Sequence, residues 1–310
     1  MEIKDIKKIE LEITSNCNAG CPNCVRTIFP DNYSIGSISL SDIKKIFSTK
    51  EYISEKIFLL CGQLGDPVIN ADCYSICKYI VENNGYIIIN TNAGLKSAKW
   101  WAQLGKLSAE SKRLKVWFCV DGYENTNHIY RVDTNFKVIK NNMSSYSAAG
   151  GEGVWMFIEF DHAVVDIDQC KKYAKELGFE FSTREPSTEI KSNKINFIPK
   201  PNKDAQFSEN NITCKFVHEG EIFINYEQKV IPCCFLQRHS IRYPTDFHRA
   251  VNPYKENWNS LKHHSLENIL HHEWFLHTLK ESWDSNHPQH LVSCEYCAVQ
   301  AEMLWKIKKK

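Results

Sequence analysis

Three cysteines carry the first chemical signal in this chain. Cys17, Cys21 and Cys24 form a C-x3-C-x2-C array on a short stretch that also holds Asn18, Gly20 and Pro22. Three thiolates on one tight loop can hold three irons of a [4Fe–4S] cube. No fourth cysteine follows at ferredoxin spacing, the next being Cys61. One iron would then keep an open position, which is what chemistry at a metal needs. On spacing alone, a zinc loop or three buried thiols are the rival readings.

A second cysteine set comes late. Cys214 precedes two short β-type runs, residues 221–225 (EIFIN) and 229–231 (KVI), which are joined by Tyr226, Glu227 and Gln228 and followed by Cys233 and Cys234. Such runs across a short turn form a hairpin candidate. A helical pattern over residues 265–283, with Ser265 as N-cap, then leads to Cys294 and Cys297. Four thiolates from a hairpin and a late C-x2-C can converge on one closed site, for a cluster or for zinc.

The elements that must position these residues alternate in type. Residues 8–14 (KIELEIT) alternate polar and apolar and read as the first strand, and the cysteine loop leaves its C-terminal end. Residues 29–40 are a polar connection, after which Ser41 reads as the N-cap of a helix beginning at Asp42. Further strands are read at 56–61, 86–90, 114–120, 154–160 and 179–182. Helices are read at 71–83, 98–107, 135–149 and 167–177. Repeated strand–helix alternation implies a parallel sheet with right-handed crossovers. Six units are too few for a closed eight-stranded barrel. Residues 184–211, polar and holding Pro186, Pro199 and Pro201, read as a linker.

Composition sets the outer limits. The 310 residues, 43% hydrophobic and 24% charged, suit one large domain and a smaller one. A net charge of +1 points to no nucleic-acid partner, and no apolar run approaches a membrane span. Residues 1–8 are polar and show no signal peptide, so a cytoplasmic location is expected. Thirteen cysteines there point to metal or redox chemistry instead of disulfides.

The first array, placed after strand one, resembles the radical S-adenosylmethionine (radical SAM) superfamily, and later segments resemble it too. Leu64-Gly65-Asp66-Pro67 stands where that family carries Gly-Gly-Glu-Pro, with Asp66 keeping the carboxylate and Leu64 replacing the first glycine. Thr91-Asn92-Ala93-Gly94 is similar to its Thr-Asn-Gly segment. Asp121-Gly122 followed by His128 and Arg131 is similar to its Asp-Gly…His…Arg stretch. The late set resembles the twitch domain, the shorter relative of the SPASM domain, although Gln228 replaces a family glycine five residues before Cys233.

The resemblance implies an α/β fold: a (βα)6 partial TIM barrel over residues 1–183, the linker 184–211 across its mouth, and a small α+β auxiliary-cluster domain over 212–310. It implies a cluster on Cys17, Cys21 and Cys24. S-adenosyl-L-methionine would be bound near Gly65, Asp66, Asn92, Asp121 and Arg131, and cleaved to a 5′-deoxyadenosyl radical. It implies an auxiliary [4Fe–4S] cluster on Cys214, Cys233, Cys294 and Cys297, with Cys233 preferred to Cys234. An external one-electron donor such as flavodoxin or ferredoxin is implied as partner.

Two substrate classes stay open: a small polar molecule such as a sugar or cyclitol, and a ribosomally made peptide. The chain starts almost at strand one, with no room for a fused leader-binding domain, which favours the small molecule. An oxidoreductase-type reaction is expected. A non-catalytic zinc or iron–sulfur scaffold is the rival from another class. Cys119, two residues before Asp121, shares that residue's face of the strand; it reads as a small core residue or, if that face is the barrel interior, as the candidate catalytic hydrogen-atom donor. His162 is expected to be structural. Ten of the twelve histidines lie after residue 217, and adjacent pairs such as His263-His264 are poor chelators.

Overall fold

The structure is a computed structural model. It describes residues 1–61, 63–186, 212, 214–242, 244, 254, 257–284, 286–291 and 294. Cys297 and most of the linker lie outside the described residues.

Six strands, β1 (Lys8–Leu11), β2 (Ile57–Leu60), β3 (Tyr86–Thr91), β4 (Leu114–Cys119), β5 (Glu152–Ile158) and β6 (Glu180–Arg184), pair in parallel in sequence order. The expected α/β partial barrel is therefore present. Two more strands extend it. β7 (Glu221–Ile224) pairs in parallel with β1, and β8 (Val230–Ile231) pairs antiparallel with β7, giving the order β6-β5-β4-β3-β2-β1-β7-β8. The expected hairpin thus continues the barrel sheet past β1.

Strand alternation sorts the side chains into two faces. Phe58, Phe118 and Trp155 face the helices, through Phe47, Trp101 and Tyr146, and Tyr173 respectively. The core centres on Trp101, Phe118, Tyr146 and Phe179, with Phe118 stacked on Phe179 at 5.2 Å between centroids. Such ring pairs contribute about 0.5–1.5 kcal/mol each beyond burial. The other face is the barrel interior. It carries Glu10, Leu59, Ile88, Asn90, Trp117, Cys119 and Met156, as the strand registers require.

Helices α3 (Cys73–Glu82), α4 (Ala98–Ser111), α6 (Phe136–Ala148) and α7 (Ile167–Glu176) follow β2, β3, β4 and β5. The short α5 (Asn127–Tyr130) lies before α6. Ser97 and Asn135 cap α4 and α6 by accepting from Trp100 N and Lys137 N, and each cap is worth about 1 kcal/mol.

The first helical elements depart from the reading in one place. Between α1 (Val25–Ile28) and α3, helix α2 (Leu40–Ile46) starts two residues earlier than expected and is capped by Ser39, not Ser41. Ser39 stands three residues before Asp42, so the two exchange hydrogen bonds in a capping box that Ser41 cannot form. The late helical pattern is also broken. Ser265 does cap a helix, but it is Leu266–Leu270; a turn at His271 and His272 precedes the π-helical turn Trp274–Thr278 and the short Leu279–Glu281.

Candidate active site

The chain leaving β1 does not turn at once. Residues 13–15 run beside residues 36–38, with Ile38 N donating to Ile13 O at 2.9 Å and Ser15 N to Gly36 O at 3.0 Å. The cysteine loop begins only after this strap. Gly20 N donates to Val132 O at 3.0 Å, and Cys24 is the residue that caps α1. Cys21 is buried, while Cys17 and Cys24 are half-buried.

The loop after β2 is fastened to this exit residue by residue. Leu64 N donates to Glu12 Oε1 at 2.9 Å, and Asp66 N donates to Asn16 O at 2.8 Å. Between them, a Cβ on Gly65 would stand 1.8 Å from Thr14 O, so only glycine fits the apposition. The Asp66 carboxylate turns inward. It accepts from Val68 N at 3.2 Å, Thr91 Oγ1 at 2.9 Å and Asn92 N at 2.8 Å, and it is only 4% exposed. Burial pushes this carboxyl up, and the bonds from Asn92 and Thr91 oppose the shift. Asp66 therefore ties the β2 exit to the β3 exit.

Each cysteine of the first array meets a different strand exit. Asn92, after β3, donates from Nδ2 to Cys17 Sγ at 3.7 Å and to Asn18 Oδ1 at 3.0 Å. Arg131, beyond β4, places Nη1 3.7 Å from Cys21 Sγ and donates from Nε to Asp121 Oδ2 at 2.6 Å. Gln63, after β2, offers its carbonyl oxygen 4.0 Å from Cys24 Sγ. Asp121 is fully buried and also accepts from Ile158 N at 2.8 Å, so it holds the β4 and β5 exits together. Burial works against the Arg131 charge, but Asp121 and then Cys21 outweigh it and keep the guanidinium firmly protonated.

The five residues expected on the ligand side are thus gathered at one end of the sheet. Gly65 and Asp66 act there as scaffold, Asn92 and Arg131 face the cysteines, and Asp121 anchors Arg131. Burial, helped by Asp66, pushes the Cys17 thiol up to about 12, and burial also raises Cys21. A metal centre here must displace those protons on binding. Among the described residues, no three Cys, His, Asp or Glu side chains gather where they could hold one metal ion. Three thiols on one loop, each beside its own polar neighbour, are a donor set of the kind that an iron–sulfur cube takes.

Cys119 lies on the interior face, half-buried, and its thiol donates to Trp117 O at 3.7 Å. Arg131, Asp121, Arg184 and Asp66 all act on it electrostatically, so it lies toward the same end. His162 stacks on Phe160 at 5.5 Å, and burial lowers its pKa. Cys73, Cys77 and Cys170 are buried core residues.

In the late set, Cys214 caps helix α8 (Lys215–Glu219), Cys233 directly precedes α9 (Cys234–Arg242), and Cys294 is buried. Gln228 has φ of +67°, the left-handed backbone that favours glycine, and this explains why a glycine would suit that place. The twelve described cysteines form no disulfide with one another.

Three residues at this end escaped the sequence reading. Glu12 is fully buried just past the end of β1, in a run whose alternation marks it as solvent-facing. Gln63 acts through its backbone carbonyl, which has no sequence signature. Arg26 stands two residues after Cys24 and folds back to donate from Nη2 to Ala19 O; its proximity in sequence to the array was the available signal.

No family model matches the chain, and no characterised protein does by sequence. Solved structures share its fold. Streptococcus suis SuiB bound to S-adenosylmethionine aligns with a TM-score of 0.62 at 14% identity, over 93% of this chain and 77% of SuiB. SuiB bound to precursor peptide SuiA aligns at 0.61 and 13%, over 93% and 76%. anSMEcpe with bound AdoMet and Cp18Cys peptide aligns at 0.54 and 13%, over 90% and 84%. These neighbours are radical SAM enzymes, and this chain has their partial-barrel fold.

Proposed function

We propose that the chain is a radical SAM enzyme. The observation that carries this reading is the distribution of contacts around the first array: Cys17, Cys21 and Cys24 are met by Asn92, Arg131 and Gln63 from three separate strand exits. A structural thiol loop needs no such convergence at the C-terminal end of a parallel sheet, where barrels of this kind place their chemistry.

In this reading Cys17, Cys21 and Cys24 would hold a [4Fe–4S] cluster, which would supply one-electron reduction to bound SAM. The chain's own work is positional. Asp66 and Gly65 fix the loop under the ligand, Asn92 is placed for its polar groups, and Asp121 holds Arg131 charged beside Cys21. Cys119 is the interior thiol proposed to face substrate. Cys214, Cys233, Cys294 and Cys297 are proposed as ligands of an auxiliary [4Fe–4S] cluster in residues 212–310, suited to an oxidoreductase. The required electron donor is of the flavodoxin or ferredoxin class, and the site of action is the cytoplasm. Among the described residues no helix is long and apolar enough to cross a membrane.

The substrate is proposed to be a small polar molecule of sugar or cyclitol type. Asn90 supports this: it lies on the interior face, and its buried Oδ1 has no hydrogen-bond partner among the described residues. A hydroxyl donor would satisfy it. A peptide substrate is the second reading, supported by the peptides bound to SuiB and anSMEcpe.

The test is anaerobic incubation of the iron-loaded protein with SAM, a reductant and candidate substrates. 5′-Deoxyadenosine should form, and its rate should rise with a polyol and not with a peptide. A protein that binds iron and never cleaves SAM would remove the enzymatic reading; acceleration by a peptide alone would replace the first substrate class with the second.

A further inference from the structure

Two guanidiniums flank the first cysteine array, and they are not equivalent. Arg131 is spoken for, because its Nε donates to the buried Asp121 carboxylate in a 2.6 Å ion pair. Arg26 has no such partner. Its Nη2 donates to Ala19 O, within the loop between Cys17 and Cys21, and the Tyr33 side chain lies near enough to act on it electrostatically. No carboxylate of a described residue forms an ion pair with it. Its Nε is buried and has no hydrogen-bond acceptor among the described residues. A buried donor left unpaired is destabilising, more so when it is charged, and so marks the place of an acceptor that binds.

We propose that Arg26 aims its Nε–H and its charge at the sulfur of the cluster held by Cys17, Cys21 and Cys24, and thereby sets the reduction potential of that cluster. The proposal rests on the reading of those cysteines as cluster ligands, and it adds a control on that site. Arg26 is the second residue of α1, two after Cys24, and bends back across the loop, so its head stands beside the array. A guanidinium keeps its charge throughout the range in which the protein is folded.

The physical consequence has one sign. A cube on three thiolates gains a negative charge on one-electron reduction. A nearby cation and a hydrogen bond to sulfur both stabilise the reduced form, more so where solvent is excluded. Arg26 therefore makes the cluster easier to reduce by the external donor.

The experiment is a redox titration of the anaerobically loaded protein without SAM, read by EPR. The first cluster is identified by the change in its signal when SAM is added. Arg26→Met should leave at least about tenfold less reduced cluster at a fixed poise, which for one electron corresponds to about 59 mV. Arg26→Lys, which keeps the charge, should fall between wild type and Arg26→Met. Arg26→Gln can still donate to Ala19 O but carries no charge, and it should match Arg26→Met.

A wild-type potential in Arg26→Gln at equal iron content would assign Arg26 a purely structural role and overturn the proposal, as would equal potentials in all variants. If Arg26→Met fails to load iron, the comparison of the Lys and Gln variants still decides. A wild-type chain that binds no SAM-responsive cluster would instead defeat the reading on which the proposal rests, and iron analysis tells the two failures apart.

Discussion

The carbonyl oxygen of Thr14 lies 1.8 Å from the point where residue 65 would carry a Cβ. Backbone occupies that space, so neither side can yield by rotating a side chain. On either side, Leu64 N is held by Glu12 and Asp66 N by Asn16 O. Gly65→Ala is therefore expected to push the β2-exit loop off the β1 exit and lower stability by about 3 kcal/mol, at the upper end of overpacking costs. Thermal or urea unfolding measures this directly, and SAM binding should fall with it.

Asp66 gives a sharper test of the same loop. Its carboxylate takes three donors and has no exposed face to spare. Asp66→Asn presents an NH2 group to one of those donors, loosening Asn92 and with it the contact to Cys17. SAM affinity is expected to drop about 10–100-fold, as for other residues that orient metal-site groups, while iron content stays at the wild-type level. Equilibrium dialysis with labelled SAM, alongside iron analysis, checks both halves.

The fold was open to the sequence because each strand followed by a helix had a periodicity that local physics enforces. The apolar run at Phe58 to Leu60 and the helical pattern from Ala98 onward are of this kind. The site was open only where a residue type is rare or its spacing is constrained, as with Cys17, Cys21 and Cys24. What stayed hidden depends on tertiary placement. Glu10 and Glu12 look like the wet side of an amphipathic strand, yet the β7 strand covers β1 on the side away from β2 and the barrel interior encloses them. Lys8, which pairs with Glu221 at 3.0 Å and Glu10 at 3.5 Å, compensates only part of that charge. Nothing in the local pattern at residue 8 announces a partner 213 residues away.

Glu12 makes that burial measurable through pH. Desolvation raises its carboxyl from the ordinary 4.5 to about 8, against the bonds it accepts from Leu64, Gln63 and Tyr226 backbone. Between those values the folded protein holds a proton that the unfolded chain has released, so rising pH favours unfolding. Stability is expected to fall by up to about 1.4 kcal/mol per pH unit from about pH 5 to about pH 8, then level off. Glu12→Gln keeps an oxygen for Leu64 N and cannot ionise, so it should remove that part of the slope. Urea midpoints of the two proteins across this range, at matched iron content, decide the matter.

Arg131 carries a different risk. Asp121 is fully buried, and Arg131 is its cation at 2.6 Å. Arg131→Met should strand that charge and cost about 3–5 kcal/mol, whereas Arg131→Met combined with Asp121→Asn should recover much of the loss. A double-mutant cycle by chemical denaturation measures the coupling. Both variants should also lose SAM affinity, since neither can place a guanidinium beside Cys21.

If both cysteine sets hold a cluster as proposed, iron stoichiometry separates them. Two [4Fe–4S] cubes amount to about eight irons per chain, and replacing Cys17, Cys21 and Cys24 with alanine should leave about four. β7 pairs with β1, the strand that leads to the cysteine loop, so the two sets share a sheet. The thiols themselves lie beyond the strand, after the strap at residues 13–15, so the β1–β7 register Lys8↔Glu221 through Leu11↔Ile224 does not depend on them. The remaining four irons should therefore persist with an EPR signal that no longer responds to SAM, while 5′-deoxyadenosine formation disappears. Loss of all iron would mean that the two sets are not independent, and retention of all eight would place the first cluster on other residues.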